Sequence, residues 1–382
     1  MYLKDLLLKI QPFTIILFNL ILGILSYNLN ILNAGQLTLI SISILIISLI
    51  ALFKNTQKNL KIFLIILFSI LTFFLGYSRA FLVKQKYQNL IDSISNKPIK
   101  IRGWVSSIEK TSHSYFKNKI SIVLDSIKID NQKIKTDYIL RMHLALLDIK
   151  NFHIGQYLEI DNIKIKNNKS SKFLISKKSL PNLFLNKIKF QNCTKKNIKY
   201  ITLIWLKIIV IRNKILKKLS NKFKFNTKNL FEYIFLGIKS ENEHIDKIKQ
   251  NMTYWGINHY LARSGLHLVL IIFTWRFFLK TIPFGYFAKQ VILAFLSIVY
   301  SLLTIPSISF ERALLSFIIY NICTIKKIPV NNMHIISMVC FITLFFNPYK
   351  LFLLDFQLSF CLTFALIVLR EISIIKAISQ KK

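Results

Sequence analysis

Four long stretches of this chain carry no Asp, Glu, Lys or Arg. They lie between Lys9 and Lys54, between Lys61 and Arg79, between Lys289 and Glu311, and between Lys327 and Lys350. Each is crowded with Leu, Ile and Phe, and about 18 such residues suffice for a helix to cross a bilayer. Soluble domains scatter their charges rather than gather them outside apolar blocks. The pattern excludes a soluble enzyme, a fibrous protein and a disordered chain.

The first block is long enough for two helices and breaks at Asn30-Ile-Leu-Asn-Ala-Gly-Gln36. Spans are therefore expected near 12–30 and 36–53, with a third at 61–81. Lys4 and Lys9 ahead of an apolar run imitate a signal peptide, but the run is too long for one and a second span follows, so it reads as retained. Five further spans are expected near 257–279, 290–306, 309–325, 332–348 and 351–370.

Between these groups the pattern changes to period two, as in Ile120/Ile122/Leu124, Tyr138/Leu140/Met142/Leu144 and Tyr157-Leu-Glu-Ile160. Alternation of this kind marks half-buried strands. About five short strands in this stretch predict a small antiparallel barrel or sandwich. Residues 200–224 have the composition of a basic amphipathic helix at a membrane interface, and a further helix is expected over 228–237. The domain reading is a three-span region at 1–82, a β domain at 83–190, basic linker helices at 191–256, and a five-span bundle at 257–372.

Charge adds direction. The chain has 53 Lys+Arg against 16 Asp+Glu, a net of +37. A coding sequence rich in A and T accounts for much of that excess, and an anionic partner, lipid or nucleic acid, is the functional reading. Lys54, Lys58 and Lys61, then Lys280/Lys289, Lys326/Lys327 and Arg370/Lys376, mark one face as cytoplasmic. Both termini are then cytoplasmic and the β domain is extracytoplasmic; residues 83–199, which include it, hold 24 Lys+Arg and 8 Asp+Glu. Arg263, Glu311, Arg312 and Asp355 fall at similar depth near the outer end of their spans. They line a polar vestibule or form ion pairs that hold the helices together.

The four cysteines make no framework: Cys323, Cys340 and Cys361 sit in separate apolar segments and Cys193 is isolated. No Cys/His spacing fits a metal, no H-x-H-x-D-H run is available for zinc, and no P-loop occurs. No cofactor or metal is expected.

The most informative segment is Gly256-Ile-Asn-His-Tyr-Leu-Ala-Arg-Ser-Gly-Leu-His-Leu268. On a helix His259, Arg263 and His267 drift by only about 40° per step, and Ser264 is adjacent, so the four make one polar stripe. Gly265 permits close approach of a neighbouring helix. The stripe either lines a channel, with Arg and His donors for passing phosphates, or supplies interhelical hydrogen bonds. Ser264 and His267, three residues apart, also have the spacing of a hydrolase dyad, without a third residue to orient it. Asp355 and Ser359 share a helix face that Gln357 points away from.

This segment resembles the signature of the ComEC family of competence DNA-uptake channels. His259, Leu261, Ala262, Ser264, Gly265, Leu266 and His267 match an H-L-L-A-I-S-G-L-H-type sequence, with Arg263 in place of an apolar residue. Leu236-Gly237 with Ser240 resembles an L-G-D-R-S segment whose Asp and Arg are here Ile238 and Lys239. Glu311-Arg312-Ala313 resembles V-R-A, and Asp355-Phe-Gln-Leu-Ser-Phe360 resembles G-F-Q-L-S-F. The resemblance implies a polytopic α-helical membrane protein with an extracytoplasmic OB-like small β domain. It implies an inner-membrane channel component, not an enzyme, that passes single-stranded DNA into the cytoplasm during transformation. A DNA receptor, a cytoplasmic motor ATPase and self-association are the partners it implies. His259, Arg263, Ser264, Gly265, His267, Arg312, Asp355, Gln357 and Ser359 are its channel-lining or DNA-contacting candidates. Many family members continue into further spans and a metallo-β-lactamase-like domain. A split channel, an intramembrane serine hydrolase and an inactive scaffold remnant are the alternatives.

Overall fold

The computed structural model describes residues 12–29, 58–94, most of 99–192, five positions between 208 and 218, 250–256, 265–304, 307–329 and 331–379. They divide into two compact units, one of residues 1–88 with 315–382, the other of residues 89–314.

The first unit is helical. α1 (Pro12–Leu29) and α2 (Lys58–Ile94) run parallel, crossing at Gly23 and Gly76. A Cβ on Gly23 would collide with the Phe73 carbonyl oxygen and reach within 3.0 Å of the Tyr77 nitrogen; one on Gly76 would collide with the Leu20 carbonyl oxygen. Only glycine lets two backbones come this close, and close approach is how helices gain dispersion energy in lipid, where hydrophobic driving force between them is lost. Tyr27 extends the seam, packing edge-on against Tyr77 and Phe81 at 5.2 and 5.9 Å.

α2 runs 37 residues, roughly 55 Å at 1.5 Å per residue, well beyond one bilayer. It passes the position, 82, where the three-span region was expected to end. The reason is visible in its burial: Tyr87, Leu90, Ile91 and Ile94 are all buried, and their spacing of three, one and three is helical. Lys84 and Lys86 hide that period behind a change of charge.

The same unit contains α7 (Asn332–Phe346), a 3-10 helix at Pro348–Phe352, and α8 (Leu354–Ser379). α7 packs on α1 and on α8. Arg79 on α2 donates from Nε to the Phe345 carbonyl oxygen at 3.1 Å, with its guanidinium 5.2 Å above the Phe345 ring. A cation at the last turn of a helix meets unsatisfied carbonyls and the negative end of the dipole. Tyr349 in the 3-10 helix is buried and donates to the Ala80 carbonyl oxygen at 3.5 Å.

The second unit holds the sheet: β1 (Ile99–Lys110), β2 (Lys119–Ile129), β3 (Ile134–Lys135), β4 (Leu140–Ala145), β5 (Tyr157–Ile163), β6 (Leu183–Leu185) and β7 (Phe190–Asn192). A short helix, α3 (Lys172–Ser176), lies between β5 and β6. Strand order is β6-β4-β2-β1-β5-β7, with β3 paired to β2. All pairings are antiparallel except β4 with β6. The alternating runs of the sequence form β1 to β5; the short β6 and β7 were not anticipated. Ile101, Val105, Leu140, Leu158 and Ile160 are buried in its core. Trp104 is buried too, with its ring 4.8 Å from Tyr157, so it is not available as a platform for bases. Beside that pair Glu159 is buried and forms ion pairs with Lys100 and Arg102.

The second unit also contains α4 (Gly265–Thr281), α5 (Tyr286–Leu303) and the start of α6 (Ile308–Ile325). α4 packs on α5. Four described helical segments are long and apolar enough to cross a membrane: Leu67–Ile94, Tyr286–Leu303, Ile308–Ile325 and Leu354–Ile374. Their outward faces are apolar. On α8, Leu354, Leu358, Leu362, Leu366 and Leu369 are all exposed, a continuous apolar ridge that water does not tolerate on a soluble surface. The protein is a mostly helical membrane protein with a β-sheet module. The expected span at 36–53 and the helix at 228–237 lie outside the described residues, while the described positions between 208 and 218 are helical, with Val210, Ile211, Lys214 and Lys218 exposed.

Candidate functional site

Two of the sequence motifs meet. α4 begins at Gly265, and a Cβ there would stand 3.0 Å from the Ala313 Cβ and 3.2 Å from the Ser309 carbonyl oxygen of α6. The glycine of Ser264-Gly-Leu-His267 is thus packed against the helix that carries Glu311-Arg312-Ala313. His267, in the first turn of α4, and Glu311 and Arg312, near the start of α6, are half-buried. Further along, Tyr300 of α5 joins the helices: its ring lies 6.3 Å from Trp275 on α4 and 5.7 Å from Phe310 on α6.

His259, Arg263 and Ser264 fall outside the described residues, and with them most of the expected stripe and the Ser264/His267 dyad. Asp355, Gln357 and Ser359 belong to the other unit and open α8. Asp355 is exposed. Gln357 is exposed and donates from Nε2 to the Leu351 carbonyl oxygen at 3.0 Å, tying α8 to the 3-10 helix before it. The Ser359 Oγ is buried without a hydrogen bond, and Phe356 and Phe360 pack at 4.4 Å between centroids. Among the described residues no group of three or more His, Cys, Asp or Glu is placed to hold a metal ion.

Sequence reasoning missed the inward face of α5. Gln290, Leu293, Ser297, Tyr300 and Thr304 are all buried, and their spacing of three and four confines them to an arc of about 80°. Four of the five are polar. Phe287, Val291, Phe295, Ile298 and Leu302 occupy the opposite face and are exposed. The signal was present as a three-four repeat of neutral polar residues, but reading by charge alone passes over an uncharged run.

Residues 236–380 match the family described as Competence protein. Over these residues the chain is similar to the competence-protein family. That match spans α4 to α8 and encloses the contact between Gly265 and α6. ComE operon protein 3 of Bacillus subtilis (strain 168) is 29% identical over 182 residues, which cover 47% of this chain and 22% of that protein. The chain therefore aligns with under a quarter of that relative's length. No solved structure matches the chain.

Proposed function

We propose that this chain is a competence protein, a channel component that carries single-stranded DNA across the inner membrane during natural transformation. The observation that carries the reading is the packing of the Gly265 motif against the Arg312 helix within the competence-family segment. Two half-buried basic side chains, His267 and Arg312, belong to these helices, and basic donors suit a phosphate backbone. His259, Arg263 and Ser264 extend that lining in the proposal, and Asp355, Gln357 and Ser359 contribute from α8. The chain acts without catalysing a reaction, so motive force comes from a separate cytoplasmic motor and DNA from a separate receptor; self-association completes the assembly.

The sheet is proposed as an extracytoplasmic OB-like module. Its topology supports this: a long β1 shifts register twice against β2 and once against β5, and β4 pairs in parallel with β6, as expected of a Greek-key barrel whose first strand is shared. Lys128 is in register with Arg102 on β1 and with Lys135 on β3, and this row of basic positions is the proposed contact for phosphates. Both termini lie in the cytoplasm in this reading.

The test is uptake of labelled DNA into a nuclease-protected compartment. A deletion strain complemented with the wild-type chain regains uptake, and one complemented with stably expressed His267→Ala/Arg312→Ala regains less than a tenth of it. No gain with the wild-type chain in competent cells overturns the proposal; equal gain with the variant removes these residues from the path.

A further inference from the structure

The inward face of α5 is unusual for a membrane helix. Polar residues turned away from lipid ordinarily hydrogen-bond to a neighbouring helix. Here the Ser297 hydroxyl donates to the Leu293 carbonyl oxygen at 2.7 Å and the Thr304 hydroxyl to the Ser301 carbonyl oxygen at 3.3 Å, both within the same stretch of chain. Gln290 is only 3% exposed, yet its Oε1 accepts no hydrogen bond. Across this face Tyr300 packs its ring against Trp275 and Phe310.

We propose that α5 is a pore-lining helix in its closed position, with Tyr300 as the plug and Gln290, Ser297 and Thr304 as the surface that takes up water when the plug withdraws. Hydroxyls that bond to their own backbone keep those bonds when the helices part. A buried amide oxygen without a partner is penalised while the seam is dry and relieved once it is wet. Separation therefore exposes a surface that water solvates readily, and the opposing force is the packing of three rings. Beyond Lys289 in its first turn the opened surface is neutral. It neither repels a polyanion as carboxylates do nor holds it as a row of lysines does, which suits transit rather than binding. This proposal rests on the channel reading and assigns to it lining residues outside the recognised motifs.

The experiment uses the full chain in membrane vesicles, with Cys193, Cys323, Cys340 and Cys361 replaced by alanine. Single cysteines are introduced as Ser297→Cys and, on the lipid face, Ile298→Cys, and modified with a membrane-impermeant thiosulfonate. Ser297→Cys reacts slowly with Tyr300 or Tyr300→Phe present and at least tenfold faster with Tyr300→Ala. Ile298→Cys stays slow throughout. An unchanged rate at position 297, or an equal rise at 298, overturns the proposal; if Tyr300→Ala does not accumulate, Tyr300→Leu is read by the same criterion. DNA uptake in the same cells separates the two ideas. A seam that wets in a protein without uptake activity retains the pore and removes DNA as its cargo, while normal uptake beside an unreactive seam removes the seam alone.

Discussion

At the scale of single residues, Gly265 has the least freedom to change. Its missing Cβ is replaced by the Ala313 methyl at 3.0 Å and the Ser309 carbonyl at 3.2 Å. Gly265→Ala asks the neighbours to yield by a few tenths of an ångström, whereas Gly265→Leu must drive α4 from α6. Overpacking of this kind costs about 1–3 kcal/mol. We expect Gly265→Leu to lower DNA uptake at least tenfold and Gly265→Ala to lower it only a fewfold, compared at equal protein level. Glu159 is the corresponding position in the sheet, a buried carboxylate between Lys100 and Arg102. Removing one member of a buried pair costs about 3–5 kcal/mol. Because the two cations are about a third exposed, water moderates the loss, and about 1–3 kcal/mol is expected. Glu159→Gln should lower the thermal midpoint of the detergent-solubilised chain; an unaltered midpoint would show the pair to be dispensable. Residues of this kind differ in how openly the sequence declares them. Gly265 stands inside a recognisable motif. Arg79 announces itself as a charge at the end of an apolar run, but its partner, the Phe345 carbonyl, is 266 residues away and no local pattern names it.

At the scale of elements, periodicity was informative wherever one face differed sharply from the other. The alternation of β2 and β4 predicted the strands, and the uncharged blocks predicted α1, α5 and α7 to within a few residues. It failed where two signals overlapped. The last turns of α2 keep a buried helical stripe, Tyr87, Leu90, Ile91 and Ile94, beneath a polar, Lys-containing surface, so the change in composition hid the continuity of the helix. On α5 beyond Lys289 the inward and outward faces differ by polarity without charge, a contrast that hydropathy averaged over a whole span erases. The α1–α2 pair yields a prediction at this scale. Its crossing depends on two glycines that each accept a backbone carbonyl of the other helix. Gly76→Val should separate the helices by more than either side chain can follow. Paired cysteines introduced as Tyr27→Cys and Tyr77→Cys, whose parent rings are 5.2 Å apart, should cross-link efficiently in the parent and lose most of that yield in Gly76→Val. An undiminished yield would mean that the glycine contact does not hold the pair.

For the whole molecule, the parallel course of α1 and α2 constrains orientation. Residues rise together along the two helices: Leu20 and Ile24 meet Gly76, Gly23 meets Phe73 and Tyr77, and Tyr27 meets Tyr77 and Phe81. Two parallel helices that both cross a bilayer begin on the same side, so the two helix starts, Pro12 and Lys58, are expected to share a compartment. The second of these starts follows Lys54 and stands beside Lys61, and lysines in short loops remain in the cytoplasm. α2, at roughly 55 Å, is longer than the roughly 30 Å hydrocarbon core, and β1 follows only four residues after its end. In the proposed topology the strands face the opposite compartment from both helix starts. Reporter insertions before Pro12 and before Lys58 are expected to be shielded from an external impermeant reagent in intact spheroplasts, while one between β1 and β2 is labelled. Opposite exposure at the two helix starts would contradict the parallel pair itself. Shared exposure of both starts to the outside would keep the pair but invert the protein, putting the basic sheet in the cytoplasm, where it could not receive DNA before passage.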